Sequence, residues 1–130
     1  MRLAKLVLVC ALAGVTSPLC AQGGLILASQ VCASSDSIFV GPCRSFRARL
    51  VPGADNIIIR IWPVGSTRLL GYADGALKCR LPPMLELLMN EGKTVYADIN
   101  VRPVTPSQPG HMQFACIAAT DHMKVKDGPR

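Results

Sequence analysis

Short segments in which apolar and polar residues alternate dominate the chain, and Pro or Gly separates them at intervals of about ten residues. Alternation with a period of two is typical of strands that bury one face. In residues 45–51, for example, Phe46, Ala48 and Leu50 point one way and the polar residues between them point the other. The pattern predicts an entry strand at residues 24–33 and further strands at residues 45–51, 56–62, 67–72, 93–102 and 111–120.

One segment departs from the alternation and predicts a helix over residues 83–91. Proline is tolerated in the first turn of a helix, and Gly92 stands where a left-handed C-terminal cap belongs. The apolar stripe that this helix is expected to bury consists of Met84, Leu85, Leu88 and Met89. Apart from the entry strand, the order is three strands, a helix and two strands, which is the order of a five-stranded oligonucleotide/oligosaccharide-binding (OB) barrel with the helix plugging one end. We therefore predict a mostly β, OB-like barrel, with an α+β sheet covered by one helix as the alternative.

The N-terminus has the pattern of a secretory signal peptide over residues 1–21. Two positive charges precede an apolar run that is shorter than the roughly 20 residues that span a bilayer, and small Ala21 precedes a plausible cleavage point. Cys20 leaves lipidation as an open alternative. We expect a secreted or periplasmic protein that meets the membrane only during export, with a single domain at residues 22–123 and a charged tail at residues 124–130.

Cleavage after Ala21 would leave four cysteines, an even number that indicates two disulfides in an exported domain. Three pairings are possible, and we favour Cys32–Cys43, which closes a short loop, and Cys79–Cys116, which ties the start of the helix to the last strand. No two of these cysteines have the two-to-four residue spacing typical of zinc ligands. The remaining chain carries twelve Lys or Arg against eight Asp or Glu, a balance that favours anionic partners in general.

Acidic and imidazole side chains form no catalytic pattern. Asp55 and Asp74 stand in turn dipeptides, where carboxylates cap nearby backbone groups, and Asp98 is a single carboxylate on a polar strand face. The two histidines both lie near the C-terminus, and no serine occupies a nucleophile elbow. We therefore expect a protein that is not an enzyme and has no cofactor.

A repeated dipeptide, His111-Met112 and His122-Met123, offers imidazole and thioether ligands that suit monovalent copper. Eleven residues separate the two, an odd number that would place them on opposite faces of one strand. A periplasmic copper-binding protein is therefore kept only as a second alternative function.

The outward positions of three predicted strands combine arginines, aromatic rings and an amide. The residues predicted to bind a ligand there are Arg60, Trp62, Tyr96, Asp98, Asn100 and Arg102, with Arg47 and Arg49 beside them. Such a set suits contacts with an acidic glycan, and export argues against nucleic acid. An ordinary charged strand face is the alternative. Ile58 and Trp62, both predicted to face outward, would also favour self-association with Trp62 at the contact.

Residues 79–118 resemble the B subunits of pertussis-like AB5 toxins. The matching features are Cys79 before the helix, the helix sequence Pro83-Met84-Leu85-Glu86-Leu87-Leu88, a strand led by Lys93, a Pro/Gly loop at residues 103–110 and a last strand that holds Cys116. The resemblance implies an OB barrel, a ring pentamer and binding of a glycan receptor. The expected function is thus an exported glycan-binding, toxin-B-like subunit, with a periplasmic protein-interaction or inhibitor protein as the alternative.

Overall fold

The structure is a computed structural model that describes residues 25–54, 57–73 and 78–127. The predicted leader, the predicted turns at Asp55-Asn56 and Asp74-Gly75, and residues 128–130 of the predicted tail lie outside the described residues.

Five strands and one α-helix make up the regular structure of the described residues. They are β1 (Arg44–Pro52), β2 (Ile59–Pro63), β3 (Leu70–Tyr72), α1 (Pro83–Asn90), β4 (Thr94–Pro103) and β5 (Gln113–Lys126). The strands close into a barrel in the order β1-β2-β3-β5-β4, with β3 and β5 parallel and every other neighbouring pair antiparallel. The predicted OB-like barrel with its one helix is confirmed.

Alternation along the strands produces the core. On β4, every second residue (Val95, Ala97, Ile99 and Val101) is buried. On β1, Ala48 and Leu50 are fully buried, and on β2 the same holds for Ile59 and Ile61. The side chains between them face outward, so the barrel wall presents a polar outer surface.

Helix α1 plugs one end of the barrel with two side chains one turn apart, Leu85 and Met89. Gly92 follows at φ +76° and ends the helix as predicted. The predicted stripe was wrong at Met84, whose side chain is 54% exposed. An eight-residue helix lying across a barrel end buries a narrow face, and Met84 is rotated by about 100° from Leu85.

Both predicted disulfides are confirmed. Cys32 and Cys43 are bonded across a loop, and Cys79 before α1 is bonded to Cys116 on β5. Cys79 and Cys116 are buried in the core, and the Tyr72 hydroxyl donates a hydrogen bond to the Cys79 carbonyl at 2.8 Å. Disulfides of this kind form and persist in oxidising compartments, which is consistent with a protein outside the cytoplasm.

The predicted entry strand at residues 24–33 was wrong over its described part. Residue Ile26 makes a single parallel bridge to Cys79, and the chain then forms a short 3-10 helix, Ala28–Gln30, before the fully buried Val31. The five strands already close the barrel, so the segment finds no open sheet edge to extend. It packs against β5 instead, as a cover.

The last strand is longer than predicted. It was expected to end at residue 120, but β5 continues to Lys126, which pairs with Thr94 at the start of β4. Residues 124–126 of the predicted tail therefore belong to the barrel. The reason is that β4 is ten residues long, and its first residues need a partner strand for their backbone groups.

Candidate functional site

A row of three side chains crosses the outer surface of the barrel, because the strand registers place them side by side. Arg49 on β1 lies opposite Trp62 on β2 and opposite Tyr96 on β4. The Arg49 guanidinium carbon lies 5.7 Å from the centroid of the Trp62 ring, within the range of a cation–π contact. Both aromatic side chains are half-buried, so each ring keeps part of its surface open to solvent.

Strand β5 extends this row with two lysines. Lys124 lies opposite Tyr96 in the β4–β5 register, and the Lys126 Nζ lies 5.0 Å from the centroid of the Tyr96 ring. Neighbouring strands are about 4.8 Å apart, so the row from β2 through β1 and β4 to β5 is about 14 Å long. We name it the basic–aromatic face, which consists of Arg49, Arg60, Trp62, Tyr96, Lys124 and Lys126.

The basic–aromatic face carries four cations that have no carboxylate partner among the described residues. Arg60 is exposed and shares the outward side of β2 with Trp62, two residues away. The described residues of the face therefore carry positive charges without a paired carboxylate, which favours an anionic ligand.

Asp98 lies next to this face but in a cluster of its own. Its carboxylate accepts a hydrogen bond from Arg47 Nη1 at 3.1 Å, and the other carboxylate oxygen lies 3.0 Å from His122 Nδ1. His122 reaches this position at an irregularity in the β4–β5 register, where its φ is +49°. The hydrogen bond from Arg47, above all, lowers the pKa of Asp98 from its ordinary value. Asp98 is thus held ionised by its neighbours.

The remaining two predicted residues contact the chain itself. Asn100 Nδ2 lies 3.4 Å from the sulfur of Cys32. Asn100 Oδ1 accepts a hydrogen bond from the Ser45 hydroxyl, also at 3.4 Å. Arg102 donates through Nε to the Gly41 carbonyl at 2.8 Å, and through Nη1 to the carbonyls of Val31 at 2.9 Å and Ser34 at 2.6 Å.

Arg102 also lies over the ring of Phe39, 4.3 Å from its centroid. Its donors and its cationic face are therefore used to fix the loop that the Cys32–Cys43 disulfide closes. The structure thus divides the predicted site. Arg60, Trp62 and Tyr96 belong to one surface, Asp98 belongs to an adjacent ion cluster, and Asn100 and Arg102 hold the loop.

Two residues of the basic–aromatic face, Lys124 and Lys126, were missed by the sequence analysis because they were assigned to a tail. A signal was present: Met123 and Val125 alternate with these lysines, as in a strand. Arg49 had been placed on the same outer surface but not among the binding residues. Its central position follows only from the register of three strands.

Geometry also bears on the copper alternative. His111-Met112 precedes β5, and His122 lies near the far end of that strand. Eleven extended residues span roughly 35 Å, a separation that argues against one metal site formed by both dipeptides. Met112 instead packs on Gly71, where an added Cβ would stand 2.6 Å from the methionine sulfur.

Comparisons of the chain with protein-family models, with curated proteins and with solved structures found no match. Among the described residues, no helix has the length and apolar character needed to cross a membrane.

Proposed function

We propose that the protein is an exported, non-enzymatic binding module that recognises acidic glycans through the basic–aromatic face. The observation that carries this proposal is the placement of Arg49 between Trp62 and Tyr96, with Lys126 beyond, on one continuous outer surface. Aromatic rings offer apolar area to the C–H faces of sugar rings, and guanidinium and ammonium groups bind carboxylate or sulfate. Alternating rings and cations therefore match an oligosaccharide that carries acidic groups.

The barrel architecture supports the same proposal. OB barrels use the surface around strands 2 and 3 and the adjoining loops to bind oligosaccharides and oligonucleotides. Arg60 and Trp62 lie on β2, within this region, and the other residues of the face extend it over β1, β4 and β5. The resemblance of residues 79–118 to pertussis-like toxin B subunits adds support, since that family implies an OB barrel and a glycan receptor, and on it we propose a toxin-B-like subunit.

The test is a panel of immobilised glycans that carries sialylated, sulfated and neutral members with matched sugar cores. We expect binding to the acidic members, weakening as salt is raised because exposed charges are screened. Trp62→Ala should lose this binding, whereas Arg80→Ala should keep it, since Arg80 is an exposed arginine near α1 and outside the face. Equal binding to acidic and neutral members, or full binding by Trp62→Ala, would overturn the proposal.

A second candidate, a protein-interaction module that also associates with itself, is favoured by apolar side chains around α1. Met84 is 54% exposed and Leu87 is 53% exposed on the helix. Leu25 and Leu27, which are similarly exposed, line hollows that they share with Glu86 of α1. Exposed apolar side chains gathered in one region are typical of contact surfaces.

Ile58, which was expected to face outward beside Trp62, is half-buried. It packs against the core, and its backbone N–H donates to the Tyr72 carbonyl before β2 begins. We therefore propose a self-association contact at the α1 side. Light scattering on the oxidised protein should show an oligomer that Leu87→Glu reduces to a monomer and Trp62→Ala does not. A monomer in the unsubstituted protein would end this proposal.

A further inference from the structure

The two ends of the barrel differ. Helix α1 fills one end with Leu85 and Met89, whereas the other end opens into an apolar cavity of about 240 Å³. Inward-facing side chains of four strands form its walls: Phe46 on β1, Leu70 on β3, Val101 on β4 and Ala115 on β5. Leu70, Val101 and Ala115 are buried, and Phe46 packs against the core as one wall. The cavity is therefore a continuation of the barrel interior, and no side chain of residues 25–54, 57–73 or 78–127 fills it.

The rim of this cavity is cationic. Arg44, at the start of β1, and Arg68, just before β3, both line it and are both exposed. None of the described residues that line the cavity is an Asp or a Glu. An apolar interior below two arginines is the arrangement that receives the body of an amphiphilic anion and its charged group together.

Arg68 is held at the rim by a buried glutamine. Arg68 Nη2 donates to Gln113 Oε1 at 2.6 Å, and Gln113 Nε2 donates to the Thr105 carbonyl at 3.0 Å. Gln113 is only 9% exposed, so its amide is fixed in place by these two hydrogen bonds. Among the described residues, the Arg68 side chain makes no second hydrogen bond, and a guanidinium has five donors, so its remaining N–H groups can bind an oxygen anion.

We propose that this open barrel end binds an aliphatic monocarboxylate of medium chain length, with the chain inside the barrel and the carboxylate between Arg44 and Arg68. A volume of 240 Å³ equals that of about eight water molecules in the liquid, which corresponds to a chain of about eight carbons. The site lies at the end of the barrel and does not share a residue with the basic–aromatic face. It therefore stands independently of the proposed glycan binding.

The test uses sodium octanoate as the probe and the exported protein, purified in its disulfide-bonded form. Calorimetry should detect saturable binding, and the methyl NMR signals of Leu70 and Val101 should shift with the same dissociation constant. Butyrate should bind at least tenfold more weakly, because it buries fewer methylene groups. Octanol should also bind more weakly, since it lacks the charge that the arginines recognise.

Two variants locate the site, and Arg44→Ala is the less disruptive of the two, because Arg68→Ala also removes the hydrogen bond that the buried Gln113 Oε1 accepts. Arg68→Ala and Arg44→Ala should each weaken octanoate binding about five- to tenfold and leave octanol binding unchanged. The matched control is Arg80→Ala, near α1 at the opposite end of the barrel, which should bind octanoate normally. The proposal is wrong if octanoate shifts neither methyl signal, if octanol binds as tightly as octanoate, or if all three variants bind octanoate alike.

Discussion

Replacement of Arg102 by alanine should destabilise the protein without removing ligand binding, although the sequence placed Arg102 among the binding residues. Its guanidinium donates to the carbonyls of Gly41, Val31 and Ser34 and covers the ring of Phe39. These contacts join β4 to residues that precede Arg102 by 61 to 71 positions in the chain. Loss of the side chain should therefore loosen the loop.

The size of the effect follows from these contacts. A hydrogen bond to a charged group contributes about 1.5–3 kcal/mol when it is well shielded, but Arg102 is only half-buried and water can replace part of the contact. We take about 1 kcal/mol for each of the three carbonyls and under 1 kcal/mol for the ring contact. The expected loss is thus about 3 kcal/mol, which for a domain of this size lowers Tm by on the order of 10–20 °C.

Urea unfolding followed by the fluorescence of Trp62, the single tryptophan of the chain, measures this loss. Arg102→Lys should lose most of the same stability, because an ammonium group does not reproduce the planar fork that reaches separate carbonyls. Arg80→Ala, an exposed arginine, should unfold within about 0.5 kcal/mol of the unsubstituted protein. If Arg102→Ala unfolds like Arg80→Ala but no longer binds acidic glycans, then Arg102 is a binding residue and our reasoning fails.

Two further predictions concern the disulfides and Asp98. Joint replacement of Cys79 and Cys116 by alanine should lower the free energy of unfolding by about 4 kcal/mol, and joint replacement of Cys32 and Cys43 by about 3 kcal/mol. The difference is expected because the first disulfide closes a loop of 37 residues and the second a loop of 11 residues. The reverse order in urea unfolding would contradict this. Asp98 has a lowered pKa in the folded protein, so its stabilising effect is present above the unfolded value of about 3.9 and is lost as the pH falls through the folded value. Unfolding midpoints of the unsubstituted protein and Asp98→Asn should therefore differ at pH 5–7 and converge below about pH 4, and a constant difference down to pH 2 would refute the assignment.

The barrel and its disulfides could be predicted because their signals are local or nearly so. Alternation in residues 93–102 matches β4 closely, and the helix predicted at residues 83–91 differs from α1 by one residue at its end. The two disulfide pairings followed from the position of each cysteine relative to the predicted loop, helix and last strand. Each of these features depends on spacing along the chain, and spacing is visible in a sequence.

The failures depend on contacts between distant segments. Nothing near Arg102 in the sequence indicates that three carbonyls of residues 31–41 surround it. The entry strand looked like a strand, but closure of the barrel by other strands left it no edge. Lys124 and Lys126 joined the basic–aromatic face only because β5 extends to pair with the start of β4. Arg60, Trp62 and Tyr96 of the face were thus predictable from the sequence, whereas the inclusion of Lys124 and Lys126 depended on the strand register.

Fluorescence of Trp62 during titration with an acidic and a neutral glycan tests the central claim most directly, since the chain's single tryptophan lies within the proposed site. With 3′-sialyllactose we expect a saturable change in emission, and with lactose, which lacks the carboxylate, a response at least tenfold weaker. Arg49→Ala should weaken the response to 3′-sialyllactose by about tenfold while Arg80→Ala leaves it intact. Equal responses to the two sugars, or an unchanged response in Arg49→Ala, would contradict recognition of acidic glycans by the basic–aromatic face.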